Sequence, residues 1–169
     1  SNNAFGTGLF TSSSTCQIVA TDSVTLSNNF QIGTGVLQYR TSTGGVIITL
    51  TGNLSGTGGI NKTGNGRLYL NGNLTYTGAT QITAGYLRAS KTVNANGVIS
   101  TATATFAVLP ERSLSVSFNV SPASGATTNY RFFQGSTSQS FTSITLSGVP
   151  AGTTATYNSS TSTLSVTVP

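Results

Sequence analysis

The sequence predicts an all-β chain in which a short parallel β-solenoid (a β-helix) is followed by a small antiparallel β-sandwich. Three observations carry that expectation. First, short alternating runs of Leu, Ile, Thr and Tyr are punctuated every few residues by Gly or Asn, as at Gly58, Gly59, Gly64, Gly66, Gly72, Gly78 and Gly85. None of these runs is long enough for a helix. Residues that accept positive φ, set between β-branched and aromatic residues, mark strands joined by tight turns. Second, one pattern returns in phase: VTLSNNF at 24–30, ITLTGNL at 48–54 and LYLNGNL at 68–74, spaced 24 and 20 residues apart. A second series runs beside it, Val36-Leu37 after Gly35, Ile60-Asn61 after Gly59 and Tyr86-Leu87 after Gly85. Repeats of this length made of strands and turns stack as coils. Third, the pattern stops after residue 97, and turn signals then recur at the roughly 8–12-residue spacing of an antiparallel sandwich.

The residues also carry a resemblance. The segment NLSGTGGINKTGNGRLYLNGNLTYTGATQITAGYL, residues 53–87, closely resembles the autotransporter-associated β-strand repeat. That repeat has the form GxGG(L/I)xKxGxGxLxLxGxNxYxGxTx(I/V)xxGxL. One clear unit is present, and residues 15–52 resemble a degenerate unit before it. The resemblance implies a parallel β-helical stalk of a secreted bacterial surface protein, with no catalytic residues. The chain is short for that family and shows no translocator-barrel sequence. What the resemblance implies is therefore architecture and an extracellular setting, and not an export route.

Taken in order, residues 1–14 place Ala4, Phe5, Leu9 and Phe10 in otherwise polar sequence, either as a first coil or as an arm that packs on another subunit. Residues 15–97 are the solenoid, of three to four coils. Val24, Leu26, Ile48, Leu50, Leu68, Leu70, Leu74, Ile82 and Leu87 form its predicted core, together with Ile18, Phe30, Leu37, Leu54 and Ile60. Burying each is worth about 1.5–3 kcal/mol before entropy is subtracted. Tyr69, between Leu68 and Leu70, is expected to face outward. Asn53 and Asn73 occupy matching positions, which predicts an asparagine ladder satisfying amides that water does not reach. Residues 98–169 are the sandwich, with runs at 98–109, 114–120, 130–133, 141–146, 154–157 and 164–168 and a turn at Pro110-Glu111-Arg112. Five or six strands leave it one or two short of an immunoglobulin set, the gap being filled by the solenoid's flank or by a neighbouring molecule. Residues 147–164, SGVPAGTTATYNSSTSTL, are similar to the "P-A-G…T-G-x-L" ending of bacterial immunoglobulin-like modules.

Charged residues make up 5% of the 169, against roughly a quarter in an ordinary globular domain. Hydroxyls and amides must therefore wet the surface. The net charge of +5 comes from Arg40, Lys62, Arg67, Arg88, Lys91, Arg112 and Arg131 against Asp22 and Glu111. These cations are scattered singly and read as solubilising charges, not as the basic stripe of a nucleic-acid binder. There is no His, and the two acids lie 89 positions apart. That leaves no facing carboxylate pair for glycoside hydrolysis, no acidic metal cluster and no base to activate a hydroxyl. The sequence thus predicts no enzyme, no metal and no cofactor. No apolar run approaches the ~20 residues of a membrane-spanning helix. The absence of Met and the start at Ser-Asn-Asn-Ala-Phe predict a removed secretion signal and an extracellular or cell-surface location. Cys16 reads as a buried free thiol, with an intermolecular disulfide as the alternative.

Two function classes remain. In the first, the chain is a secreted subunit of an extracellular filament, sheath or surface layer, a homopolymer joined by strand addition. A short solenoid has two open ends and here few charges to block them. The expected interface residues are Phe5, Leu9 and Phe10 at one terminus and Leu164, Val166 and Val168 at the other. In the second, the chain is an adhesin or binding module. It would hold a cell-surface polysaccharide through exposed members of the set Tyr39, Tyr69, Tyr76 and Tyr86. Alternatively it would bind ice through the pairs Thr49/Thr51, Thr75/Thr77 and Thr101/Thr103/Thr105, although uneven coil spacing counts against an ice lattice.

Overall fold

A computed structural model describes residues 5–90, 92–94, 99–100, 102–107 and 112–169. Ala4, Lys91, Val98, Thr101, Leu109, Pro110 and Glu111 lie outside the described residues, as does the side chain of Thr103. No helix occurs among those described.

Four coils make up the solenoid. The first holds β1 (Phe10–Ser12), β2 (Cys16–Ala20) and β3 (Val24–Leu26); the second holds β4 (Phe30–Ile32), β5 (Val36–Thr41) and β6 (Ile47–Leu50). The third holds β7 (Leu54–Gly56), β8 (Gly59–Thr63) and β9 (Arg67–Leu70). The fourth holds β10 (Thr80–Ile82) and β11 (Tyr86–Ala89), its first side reduced to a bridge between Leu54 and Leu74. Stacking yields three parallel walls: β1-β4-β7, β2-β5-β8-β10 and β3-β6-β9-β11.

Alternation with a period of two sends every second side chain inward, and the parallel register lines these up as columns. Leu26, Leu50 and Leu70 share one column that ends on Ala89, and Val24, Ile48, Leu68 and Leu87 share the next. Phe30, Leu54 and Leu74 form a third. Every predicted core residue is buried except Val24, which is half-buried and lines the hollow at the first coil. The second sequence series departs from its expected register. Leu37 pairs with Ile60 on the second wall, but the next rung of that column is Thr80, whereas Leu87 belongs to the third wall. Glycine punctuates all three corners of a coil, as Gly33, Gly44 and Gly52 do in the second, so a Gly-apolar pair does not say which corner it marks.

The C-terminal part contributes β12 (Thr92–Asn94), β13 (Ile99–Ser100), β14 (Ala102–Ala107), β15 (Ser113–Phe118), β16 (Thr127–Arg131), β17 (Ser143–Ser147), β18 (Thr154–Asn158) and β19 (Thr163–Thr167). The third wall runs on into it. β11 pairs antiparallel with β14, β14 antiparallel with β15, and β15 parallel with β17, which makes one seven-stranded sheet across residue 97. Its inward columns continue as well, from Leu87 to Phe106, Leu114 and Ile144, and from Ala89 to Ala104, Val116 and Leu146. The remaining strands form an antiparallel sheet in the order β13-β12-β16-β19-β18. The two layers meet through Phe118 on Tyr130 at 5.0 Å and Phe106 on Phe132 at 5.4 Å. Of the two sources foreseen for a missing strand, the solenoid's flank supplies one, because β11 provides the edge on which β14 builds.

Candidate functional site

The first coil is the open end among the described residues, since β1, β2 and β3 each pair there on one side only. The predicted interface residues of the N-terminal segment lie here. Phe5 is 40% exposed and Leu9 60% exposed, while Phe10 is half-buried between Phe5 (5.3 Å) and Phe30 (5.1 Å). Asn28 ties this segment down by donating from Nδ2 to the carbonyls of Gly6 (3.2 Å) and Gly8 (2.7 Å). Of the two alternatives for residues 1–14, residues 10–12 form a rung of the first coil. Phe5, Val19, Val24 and Leu26 help to line a hollow of about 220 Å³ at this end, and Val19 is 54% exposed.

The opposite end is covered, contrary to the expectation of two open ends. Thr137 bridges to Thr80, the Thr80 amide donates to Ser136, and Gln139 Nε2 donates to the Ile82 carbonyl at 2.6 Å. Gly135 sits on Gly78 as Gly78 sits on Gly58, so closely that a Cβ on either would overlap the backbone below. Phe133 packs on Tyr76 at 6.4 Å, and Phe106 gathers Phe132, Phe133, Phe141 and Tyr157 around it. Leu164, Val166 and Val168, expected at an interface, are buried instead. β19 is flanked on both sides by β16 and β18, so neither of its edges is free.

Lys62 is the residue that the charge reading misplaced. It is 0% exposed, stacked in the inward column Ile18–Tyr39–Lys62–Ile82. Its ammonium donates to the carbonyls of Thr63 (2.7 Å), Gly64 (2.7 Å) and Ala84 (3.4 Å) and to Thr41 Oγ1 (3.5 Å). Gly64 has φ +74°, a left-handed turn that aims its carbonyl at the ammonium. The cation thus stitches the corners of consecutive coils. Removal from water pushes its pKa down to about 8. The signal was present in the sequence: Lys62 shares the parity of the inward Ile60.

Of the four solenoid tyrosines, Tyr39 and Tyr76 are buried, and only Tyr69 and Tyr86 face outward on the third wall. Each meets an arginine on the neighbouring rung. Arg88 lies over the Tyr69 ring at 3.9 Å and Arg67 over the Tyr86 ring at 5.7 Å. The outward row containing Thr49 is not a threonine row, since it runs Thr25, Thr49, Tyr69, Arg88 and Thr105. The asparagine ladder exists and gains a member: Asn29 Oδ1 accepts from the Asn53 amide at 2.9 Å, and Asn53 Oδ1 from the Asn73 amide at 3.0 Å. It runs along an exposed corner, so its amides are within reach of water, unlike those expected. Cys16 is a free, half-buried thiol 3.2 Å from Ser12 Oγ. Among the described residues no three His, Cys, Asp or Glu side chains gather.

These features define a repeat-built, charge-poor parallel β-solenoid with one covered end. Residues 60–89, which run from β8 through β11, match the family model of the passenger-associated-transport-repeat. The unit read in the sequence over residues 53–87 is of that kind. No curated protein and no solved structure matches the chain. Repeat and solenoid together fit an autotransporter-passenger-like surface protein, and point to a secreted or surface location.

Proposed function

We propose that this chain is a non-catalytic structural subunit of an extracellular filament, sheath or surface layer, joined copy to copy by strand addition. The observation that supports this reading is a pair of open edges at opposite ends of one sheet. Among the described residues β3 and β17 each pair on one side only. Neither strand carries a charge or a proline, the usual devices that keep edge strands from recruiting partners. β17 runs parallel to β15, which is parallel to β11 through two antiparallel steps, and so to β3. A copy related by translation therefore presents β3 to β17 in the parallel sense used throughout the wall. The inward columns then continue, from Ile144 to Val24 and from Leu146 to Leu26 of the next copy. A head-to-tail contact that does not close into a ring generates a filament.

One substitution tests that edge. The Leu26 carbonyl accepts from the Thr51 amide at 3.0 Å and so points into the second coil. Strand alternation then aims the Thr25 N–H at the open side. Thr25→Pro removes this donor without breaking a bond inside the chain. Wild-type protein should sediment as long assemblies and show fibres by electron microscopy. Thr25→Pro should stay monomeric with little change in melting temperature, and Thr25→Ala should still assemble. Wild-type protein that stays monomeric at high concentration, or fibres from Thr25→Pro, would overturn strand addition at β3.

A further inference from the structure

The outer face of the third wall holds two arginine–tyrosine pairs in a two-by-two block. Register sets Arg67 beside Tyr86 and Tyr69 beside Arg88, on adjacent rungs and with their side chains outward. Neighbouring rungs are ~4.8 Å apart and residues two along a strand ~6.6 Å, so the diagonal between the two arginine positions is roughly 8 Å. Among the described residues neither guanidinium donates a hydrogen bond or meets a carboxylate, and Arg88 Nε is shielded without a hydrogen-bond partner there. The sole acid among the described residues, Asp22, lies away from this face, beside the hollow at the first coil. In a chain with 5% charged residues, two arginines share one flat face with no carboxylate partner among the described residues.

We propose that this block is a binding site for a carboxylated polysaccharide, a polyuronate. An arginine fork matches a carboxylate in bidentate fashion, and resting each guanidinium over a tyrosine ring restricts its motion, so less freedom is lost on binding. Two forks on a diagonal suit a polymer that repeats its carboxylates, each fork taking one. The hydroxyls of Thr49, Thr105 and Ser115 on nearby rungs supply donors and acceptors for sugar hydroxyls. Nucleic acid is the poorer match, because it rewards a stripe of cations along a backbone and this face offers two.

The test is affinity electrophoresis of the full chain, at dilutions where it is monomeric and in parallel in the Thr25→Pro background, in gels containing polygalacturonate, neutral dextran or single-stranded DNA. Wild-type protein should be retarded by polygalacturonate and not by dextran. Arg67→Gln/Arg88→Gln should bind at least tenfold more weakly, and Arg67→Lys/Arg88→Lys, which keeps the charge but loses the fork, should be weakened as well. Arg40→Gln, an exposed arginine on the second wall, should bind like wild type, unlike Arg88→Gln. The proposal is overturned if polygalacturonate does not retard the wild type, or if Arg40→Gln loses as much as Arg88→Gln. It also fails if the lysine pair binds fully, or if single-stranded DNA is held as tightly as polygalacturonate.

Discussion

Leu70 and Tyr69 are chain neighbours on opposite sides of the third wall, and the difference sets what each contributes. Leu70 is fully buried between Leu50 and Ala89 in its column, where the stacked backbone leaves no slack to refill a void. Leu70→Ala should cost on the order of 2–5 kcal/mol. Tyr69→Ala loses a half-buried ring and its contact with Arg88, about 1 kcal/mol. Equal shifts in melting temperature would reverse the assignment of the two faces. Lys62 makes a different prediction, about pH. Its folded pKa is lowered from 10.5 to about 8 by burial. Between those values the unfolded chain binds the proton more tightly than the folded one, so stability rises with pH across that window. At ~1.4 kcal/mol for each tenfold change in proton affinity, the full effect is on the order of 3 kcal/mol. Burial pushes Tyr39, Tyr76 and Tyr157 the other way, Tyr157 up to about 12. Above pH 10 the unfolded tyrosines lose protons that the folded chain retains, so stability then falls. Denaturant titrations in dilute solution should show a maximum near pH 10. In Lys62→Met the rise between pH 8 and 10 should vanish, and a rise unchanged in that variant would remove Lys62 as its source.

The element that the sequence reading did not see is the segment following β16, which seats residues 135–139 on β10 as a rung beyond the fourth coil. A Cβ on Gly135 has no room above Gly78, so Gly135→Ala should unseat this rung. Hydrogen exchange should then quicken at the Thr80 and Ser138 amides, which bond to Ser136 and Thr80, while Phe30 and Thr51 keep their protection. Protection unchanged at Thr80 would show that the rung tolerates the methyl group. What was legible, and what was not, follows from how local each signal is. The Leu-x-Leu phase of Val24, Ile48 and Leu68 reads directly as columns, because one residue of slip would turn every side chain outward. Of the five or six C-terminal strands expected, β15 to β19 fall at the runs read in the sequence, whereas β12 lies in the range assigned to the solenoid and the run at 98–109 holds both β13 and β14. Which sheet each of them joins was not legible, because β14, β15 and β17 extend the solenoid wall by contacts far apart in sequence. Among the described residues the first coil is open, as anticipated, whereas the cover at the other end was not foreseen: the sequence put Phe132, Phe133 and Phe141 in strand runs 130–133 and 141–146, but they lie outside β16 and β17 and turn onto the fourth coil instead. The arginine–tyrosine block was partly legible, since alternation puts Tyr69 outside, but its pairing needs a register that only stacking supplies.

At the scale of the whole molecule the seam at residue 97 has little physical meaning, and that predicts how the protein unfolds. One seven-stranded sheet crosses it, with β11 and β14 sharing a four-residue antiparallel register. The aromatic group around Phe106 belongs at once to that sheet and to the layer holding Tyr157. Solenoids often unfold in pieces, because each repeat touches only its neighbours and interfaces fail one at a time. Here there are only four coils. The last of them rests Tyr76, Ile82, Leu87 and Ala89 beneath the C-terminal part, all of them buried. Melting the C-terminal layer alone would expose that surface and free the Thr80 and Ile82 backbone bonds, so the partly unfolded state is costly compared with losing everything together. Differential scanning calorimetry of a monomeric form such as Thr25→Pro should give one transition with equal calorimetric and van't Hoff enthalpies. The isolated fragment 5–90 should fail to fold to a soluble monomer, because its fourth coil would end in an uncovered apolar cross-section. Two resolved transitions, or a stable soluble fragment, would mean that the solenoid stands without its cover. The covered end would then act as a docking face in its own right rather than as part of a single cooperative core.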